Sequence, residues 1–315
     1  MKKQLLIAAV AASMTSVAMA DISIAGNMKV NYTNTDTNGT VTNQVGHEAN
    51  LVLAGKNGDT SVHIEMALDD ANKDATEQAS VVLEDVHLTT TVGDIKIKTG
   101  TWNGSDSILT KDSARTAGNY IVSTDVAGVG ISVEGDTEEA STSVKLSGSV
   151  SGVDVSYKAK ATADEMTLAT TIAGVSIAYH NVDDDAAASD KSSIALGYST
   201  NGFDLTYANA DADASATISG DTSYFGNTAS FKTPMAAGDD ISGFGVKTAL
   251  AGNTVQFKAF TMEDSSASAD VDFIKVIATR ALANGTTFEV TYTDEDSTTA
   301  ASDRETLDLE LAVKF

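Results

Sequence analysis

Four histidines, His47, His63, His87 and His180, are the first residues to weigh for chemistry, because imidazole serves both as a base and as a metal ligand. They are scattered along the chain without the short spacing of a helical or knuckle-type metal site, so no ligand set is assigned to them. The chain has no cysteine, which removes disulfides, thiolate ligands and a cysteine nucleophile together. Serine is abundant, yet no Gly-x-Ser-x-Gly elbow presents one for attack. Acid runs such as Asp183-Asp184-Asp185 carry the oxygens that Ca²⁺ takes, and read more readily as solvated loops. The expectation is therefore a protein that is not an enzyme and needs no cofactor.

Charge narrows the field further. The 315 residues hold 44 Asp and Glu against 20 Lys and Arg, a formal net charge of −24, which excludes a nucleic-acid binder that would need a basic footprint. A hydrophobic fraction of 42% is enough to fold, so the acidity does not mean disorder. Beyond the first twenty residues no apolar run approaches the roughly 18 residues of a spanning helix. Any membrane signal must be carried by alternation.

The start of the chain reads as an export signal. Met1-Lys2-Lys3 is basic, Leu5 to Ala12 is apolar, and Ala18-Met19-Ala20 is the small-x-small pattern of a cleavage site. Ala18 and Ala20 are the cleavage residues, residues 1–20 the signal peptide and 21–315 the mature domain.

The mature chain is written in period two. Ile22, Ile24, Gly26, Met28, Val30 and Tyr32 share one face, and Ser23, Ala25, Asn27, Lys29, Asn31 and Thr33 share the other. Leu307, Leu309, Leu311, Val313 and Phe315 repeat the pattern at the end. Between them lie eight hairpins, turning at Asn57-Gly58, Gly93-Asp94, Gly128, Ser151-Gly152, Ala173-Gly174, Asn201-Gly202, Gly252-Asn253 and Asn284-Gly285. Eight hairpins plus the first and last strands make 18 strands. One run, Val81-Val82-Leu83-Glu84-Asp85, puts charge on both faces and requires a bulge of unassigned position. The single proline, Pro234, falls inside a long connection, where no ladder donor is lost.

Connections at one end are tight, while those at the other are longer and acidic, as at Asp69-Asp70, Glu138-Glu139, Asp239-Asp240 and Asp294-Glu295-Asp296. This asymmetry, with no convincing helix, predicts an all-β transmembrane antiparallel up-and-down barrel with short periplasmic turns and long extracellular loops. Lys96, Lys98, Lys145, Lys158, Lys247 and Lys258 fall on the polar face and are the expected pore lining. Tyr157, Tyr179, Tyr207 and Tyr292 stand at one height on the apolar face, as an interfacial girdle would.

The sequence resembles the Gram-negative general porins. The resemblance rests on Ala18-Met19-Ala20 leading straight into an alternating strand, on the ending Leu311-Ala312-Val313-Lys314-Phe315, and on Gly93-Asp94-Ile95-Lys96-Ile97-Lys98-Thr99-Gly100. Thr101 replaces the family's Arg, its Pro-Glu-Phe-Gly-Gly motif is absent from 103–118, and its members mostly have 16 strands. The resemblance implies passive diffusion of ions and small hydrophilic solutes through a water-filled pore in the outer membrane. It also implies a homotrimer, and an assembly signal at Phe315 read by the barrel-assembly machinery. By the same resemblance, the connection at about 103–118 folds inward, and Asp106, Lys111, Asp112 and Arg115 form the constriction. The alternative from another class is a structural or adhesive acidic surface protein whose loops bind Ca²⁺ or a partner.

Overall fold

A computed structural model describes residues 21–69, 80–102, 116–136, 141–185, 190–213, 240–264, 269–297 and 303–315. The chain forms β1 (Asp21–Thr37), β2 (Thr40–Asn57), β3 (Thr60–Asp69), β4 (Ser80–Val92), β5 (Ile95–Trp102), β6 (Thr116–Val126), β7 (Val129–Asp136), β8 (Ser141–Val150) and β9 (Val153–Ala159). It continues through β10 (Ala163–Ile172), β11 (Val175–Asp184), β12 (Lys191–Thr200), β13 (Phe203–Ala212), β14 (Asp240–Leu250), β15 (Asn253–Asp264), β16 (Ala269–Ala281), β17 (Thr286–Ser297) and β18 (Arg304–Lys314). The signal peptide and residues 70–79, 103–115, 137–140 and 214–239 lie outside the described residues, whereas Asp294-Glu295-Asp296, expected in a connection, lies on β17, because that strand runs on past the apolar band.

Every strand pairs antiparallel with the next, and β1 pairs with β18, so one 18-stranded sheet closes on itself. Closure leaves no unpaired edge, which a two-sheet sandwich would have kept. Eighteen strands, not sixteen, is the number. At the seam the Phe315 N–H donates to the Gly26 carbonyl at 3.0 Å, and the Gly26 N–H donates to the Phe315 carbonyl at 2.9 Å. A Cβ at position 26 would lie 2.6 Å from the Phe315 ring, so glycine is what admits the terminal aromatic there.

The hairpin turns follow from residues that tolerate positive φ. Ser151-Gly152, Ala173-Gly174 and Asn201-Gly202 all have positive φ at both positions, the geometry whose twist matches that of the flanking strands. The turn read as Gly252-Asn253 sits one residue earlier, at Ala251-Gly252. A single 3₁₀ turn, Ala283–Gly285, joins β16 to β17. At the opposite end, the expectation of long connections fails twice: three residues, 160–162, join β9 to β10, and the first connection is shorter still. There β1 and β2 are joined by the two-residue turn Asn38-Gly39, whose Gly39 N–H donates to the Asp36 carboxylate at 2.8 Å. These strands run 17 and 18 residues, so they close on themselves instead of needing a loop.

The two faces differ as the alternation requires, up to a definite height. Large apolar side chains such as Ile24, Leu146, Leu205 and Phe244 are exposed on the outside, an arrangement suited to hydrocarbon and not to water. Tyrosines bound this band on the loop side. Tyr32 donates to Asn43 at 2.6 Å, Tyr157 to Asp164 at 2.6 Å and Tyr179 to Asn181 at 3.1 Å, all from the same face. Beyond the tyrosines the parity reverses in meaning. On β13, β15 and β16 the outward residues become Asn209, Asp211, Glu263, Asp270 and Asp272. The inward ones become apolar: Ala208, Ala210, Ala212, Ile241, Phe260, Met262 and Phe273 form a buried cluster with Val182. The Phe260 and Phe273 rings stack at 4.7 Å. A polar interior face was the expectation from sequence; this part of the wall is apolar, because the strands extend past the apolar band.

Two register breaks interrupt the described ladders. Ile64 pairs with Val86 and Met66 with Leu83, so Glu84 and Asp85 together oppose Glu65. This places the bulge that the Val81–Asp85 run requires. The second break lies in the β5–β6 ladder, where Gly100 pairs with Asn119 and Trp102 with Thr116, so the extra residue is on β6.

Candidate functional site

The inner wall collects the charged side chains. Lys29 on β1 lies 2.8 Å from Glu48 on β2 and 3.9 Å from Glu310 on β18. Lys158 on β9 reaches over β8 to Glu134 on β7 at 2.6 Å, and Arg304 pairs with Glu295 at 2.6 Å. Lys160 pairs with Glu165. These pairs are a quarter to two-fifths exposed on most members, so each is worth under about 1 kcal/mol, and their consequence is a wall lined by both signs.

All six lysines assigned to the lining stand on strands and share the parity of Lys29, opposite the lipid-suited face. Lys145 and Lys158 are direct cross-strand partners, as are Lys258 and Lys275. Like charges placed so are unfavourable unless countered. Glu134 lies in the field of both members of the first pair and Glu289 of both members of the second. Lys247 is opposite Asp204. Lys258 is almost fully buried beside the apolar cluster, whereas Lys98 stands over the Trp102 ring, 4.1 Å from its centroid. Asp106, Lys111, Asp112 and Arg115 lie outside the described residues.

The histidines that read as scattered are not all apart. His63 on β3 and His87 on β4 are cross-strand partners whose rings stack at 4.8 Å, and the edge of His87 meets Trp102 at 6.0 Å. Asp85 shares the face of His87 by alternation, and one ligand atom from each of His63, Glu65 and Asp85 falls within 4.8 Å of the others. Gly100, opposite His87, has φ +139, and a Cβ there would run into the Val86 carbonyl and His87. Its absence lets β5 close on this group. A sequence signal existed: His-x-Glu at 63–65 and Asp-x-His at 85–87 each place two ligand types on one strand face. What sequence lacked was the register that joins them.

No protein-family model and no curated protein sequence matches this chain. Solved structures do. OccD3 (OpdP) of Pseudomonas aeruginosa superposes with a TM-score of 0.67 at 11% identity, covering 95% of this chain and 93% of that one. OccAB4 of Acinetobacter baumannii gives 0.68 at 10%, covering 95% and 99%, and OccK2 (OpdF) of P. aeruginosa gives 0.69 at 10%, covering 94% and 98%. The fold is the closed 18-strand antiparallel barrel of these structures. At such identities the likeness carries architecture and not residues, so the lysines, the histidine group and the apolar cluster must be argued from this chain alone. The likeness to these Occ barrels is one of fold, and it covers nearly the whole chain.

Proposed function

We propose that this protein is an outer-membrane porin through which ions and small hydrophilic solutes diffuse passively. One observation carries the reading: a sheet closed by β1 and β18 has an apolar outer band and an inner wall of charged and hydroxyl side chains. Such an interior holds water, and an outer face of this kind has no stable place except a bilayer. The outer membrane of a Gram-negative cell is where Occ barrels of the same 18-strand architecture reside. Liposome swelling tests it: folded protein should admit sugars up to a size limit and exclude larger ones. Equal exclusion of all sizes would refute the reading.

Several finer parts belong to the same proposal. Residues 1–20 direct export and are removed after Ala20, so the mature protein should begin at Asp21. Phe315 at the seam is the contact offered to the barrel-assembly machinery. The connection after Trp102 folds inward, where Asp106, Lys111, Asp112 and Arg115 narrow the pore, and Lys96 and Lys98 on β5 lead into it. Deleting 104–116 should then raise single-channel conductance. The barrel closes within one chain, so a homotrimer would be an association of complete pores, which crosslinking in detergent tests.

A further inference from the structure

The two register breaks of the described ladder flank one small group of side chains. The first sets both Glu84 and Asp85 opposite Glu65, and beside the second Trp102 stands against His87 and under Lys98. Bulges re-aim side chains and cluster at sites that do something. Ion pairs elsewhere on the wall form across regular register, so charge balance alone does not call for a bulge here.

We propose that His63, Glu65 and Asp85 form a binding site for a divalent transition-metal ion, Zn²⁺ being the ion that fits, on the inner wall at β3 and β4. One imidazole nitrogen and two carboxylates are the ligand types Zn²⁺ accepts, with bonds of about 2.0–2.2 Å and a spacing of roughly 3.3 Å between tetrahedral ligands. The three ligand atoms already lie within 4.8 Å of one another, and His63 Nε2 stands 3.9 Å from Glu65 Oε2. Side-chain rotation of about 1 Å therefore closes the set. Three protein ligands leave a fourth position to water or solute. Ca²⁺, which takes 6–8 oxygens, is poorly served by two carboxylates and an imidazole.

The neighbours set both the hold and its limit. His87 stacks on His63 and fixes the ring plane, and its own Nδ1 has no hydrogen-bond partner. On β2, Ala54 and Val52 oppose His63 and Glu65, adding no charge from that side. On β5, Lys98 lies in the field of Asp85 and of His87, a cation that a bound metal must displace or repel. Removing it should tighten binding, an effect that a purely structural role for the group would not produce.

Isothermal titration of the folded full-length barrel in detergent with ZnCl₂ tests the site without reference to conduction, so it can fail while the channel reading stands. The wild type should show one saturable site above the weak binding of the acidic surface. His63→Ala, Glu65→Gln and Asp85→Asn should each weaken it at least tenfold, and Lys98→Gln should tighten it about threefold. Heat-modifiable gel mobility confirms that each variant is folded, and the isosteric Glu65→Gln and Asp85→Asn carry the test if His63→Ala is not. No saturable wild-type site, or the same affinity in folded Asp85→Asn as in wild type, overturns the proposal.

Discussion

Two stretches of the inner wall solve opposite problems. From β11 to β16 the loop-side wall is regular in register and apolar, with Ile241, Phe260, Met262 and Phe273 buried together. From β3 to β6 the wall is polar, half-exposed and broken in register twice. The first stretch gains stability from burial, where each large side chain is worth about 1.5–3 kcal/mol. The second gives up ladder regularity and sets two histidines, two carboxylates, a tryptophan and a lysine within reach of one another. Stability and chemistry occupy different arcs of the same cylinder.

The sharpest way to break this contrast is to hollow out the apolar arc. Phe260→Ala should destabilise the barrel by about 3–5 kcal/mol, from lost burial and the cavity left beside Phe273. Urea unfolding followed by tryptophan fluorescence would measure it. A cost near zero would mean the cluster contributes little to the wall.

The outer face offers the next largest effect. Leu205→Arg, within the apolar band, should cost about 2–4 kcal/mol when folding into bilayers, while Thr261→Arg, beyond the tyrosines on the same face, should cost about 0–1. Equal costs would remove the band and with it the reason for the inverted parity above it.

Much of this was legible in the chain. Period-two alternation gave the 18 strands, and Tyr157 and Tyr179 marked the edge of the apolar band because tyrosine joins an apolar ring to a polar tip. The apolar arc was not legible for a physical reason. Ala208, Ala210 and Ala212 alternate with Tyr207, Asn209 and Asp211 in unbroken period, so nothing in the pattern announces that the strand has left the hydrocarbon. The His63, Glu65 and Asp85 group escaped for another reason. Alternation puts His63 with Glu65 and Asp85 with His87, but which residue of β4 stands opposite which of β3 is set by pairing and not by either pattern.

Gly100→Ala sharpens the polar arc. A left-handed backbone and a clash with the Val86 carbonyl should cost about 1–3 kcal/mol and part β5 from β4 beside His87. Thermal loss of the compact gel form would measure it, and a Tm unchanged from wild type would show that β5 does not need this close approach.

The smallest effects concern ions. Lys29→Ala removes contacts to Glu48 and Glu310 and should change stability by under about 1 kcal/mol, given how exposed the pair is. The acidic connections are screened beyond about 8–10 Å at physiological salt, whereas charges on a narrow wall are screened less. Selectivity should therefore be weak and move toward cations as ionic strength falls, read from reversal potentials at two mean salt concentrations. Strong anion preference at low salt would instead give control of entry to the wall lysines.

The central claim is that a water-filled path runs through the closed barrel, and planar-bilayer recording of the purified protein tests it most directly. The account predicts discrete current steps of uniform size whose conductance rises with bulk salt concentration. Folded protein that inserts into the bilayer and yields no steps at any salt concentration would contradict it.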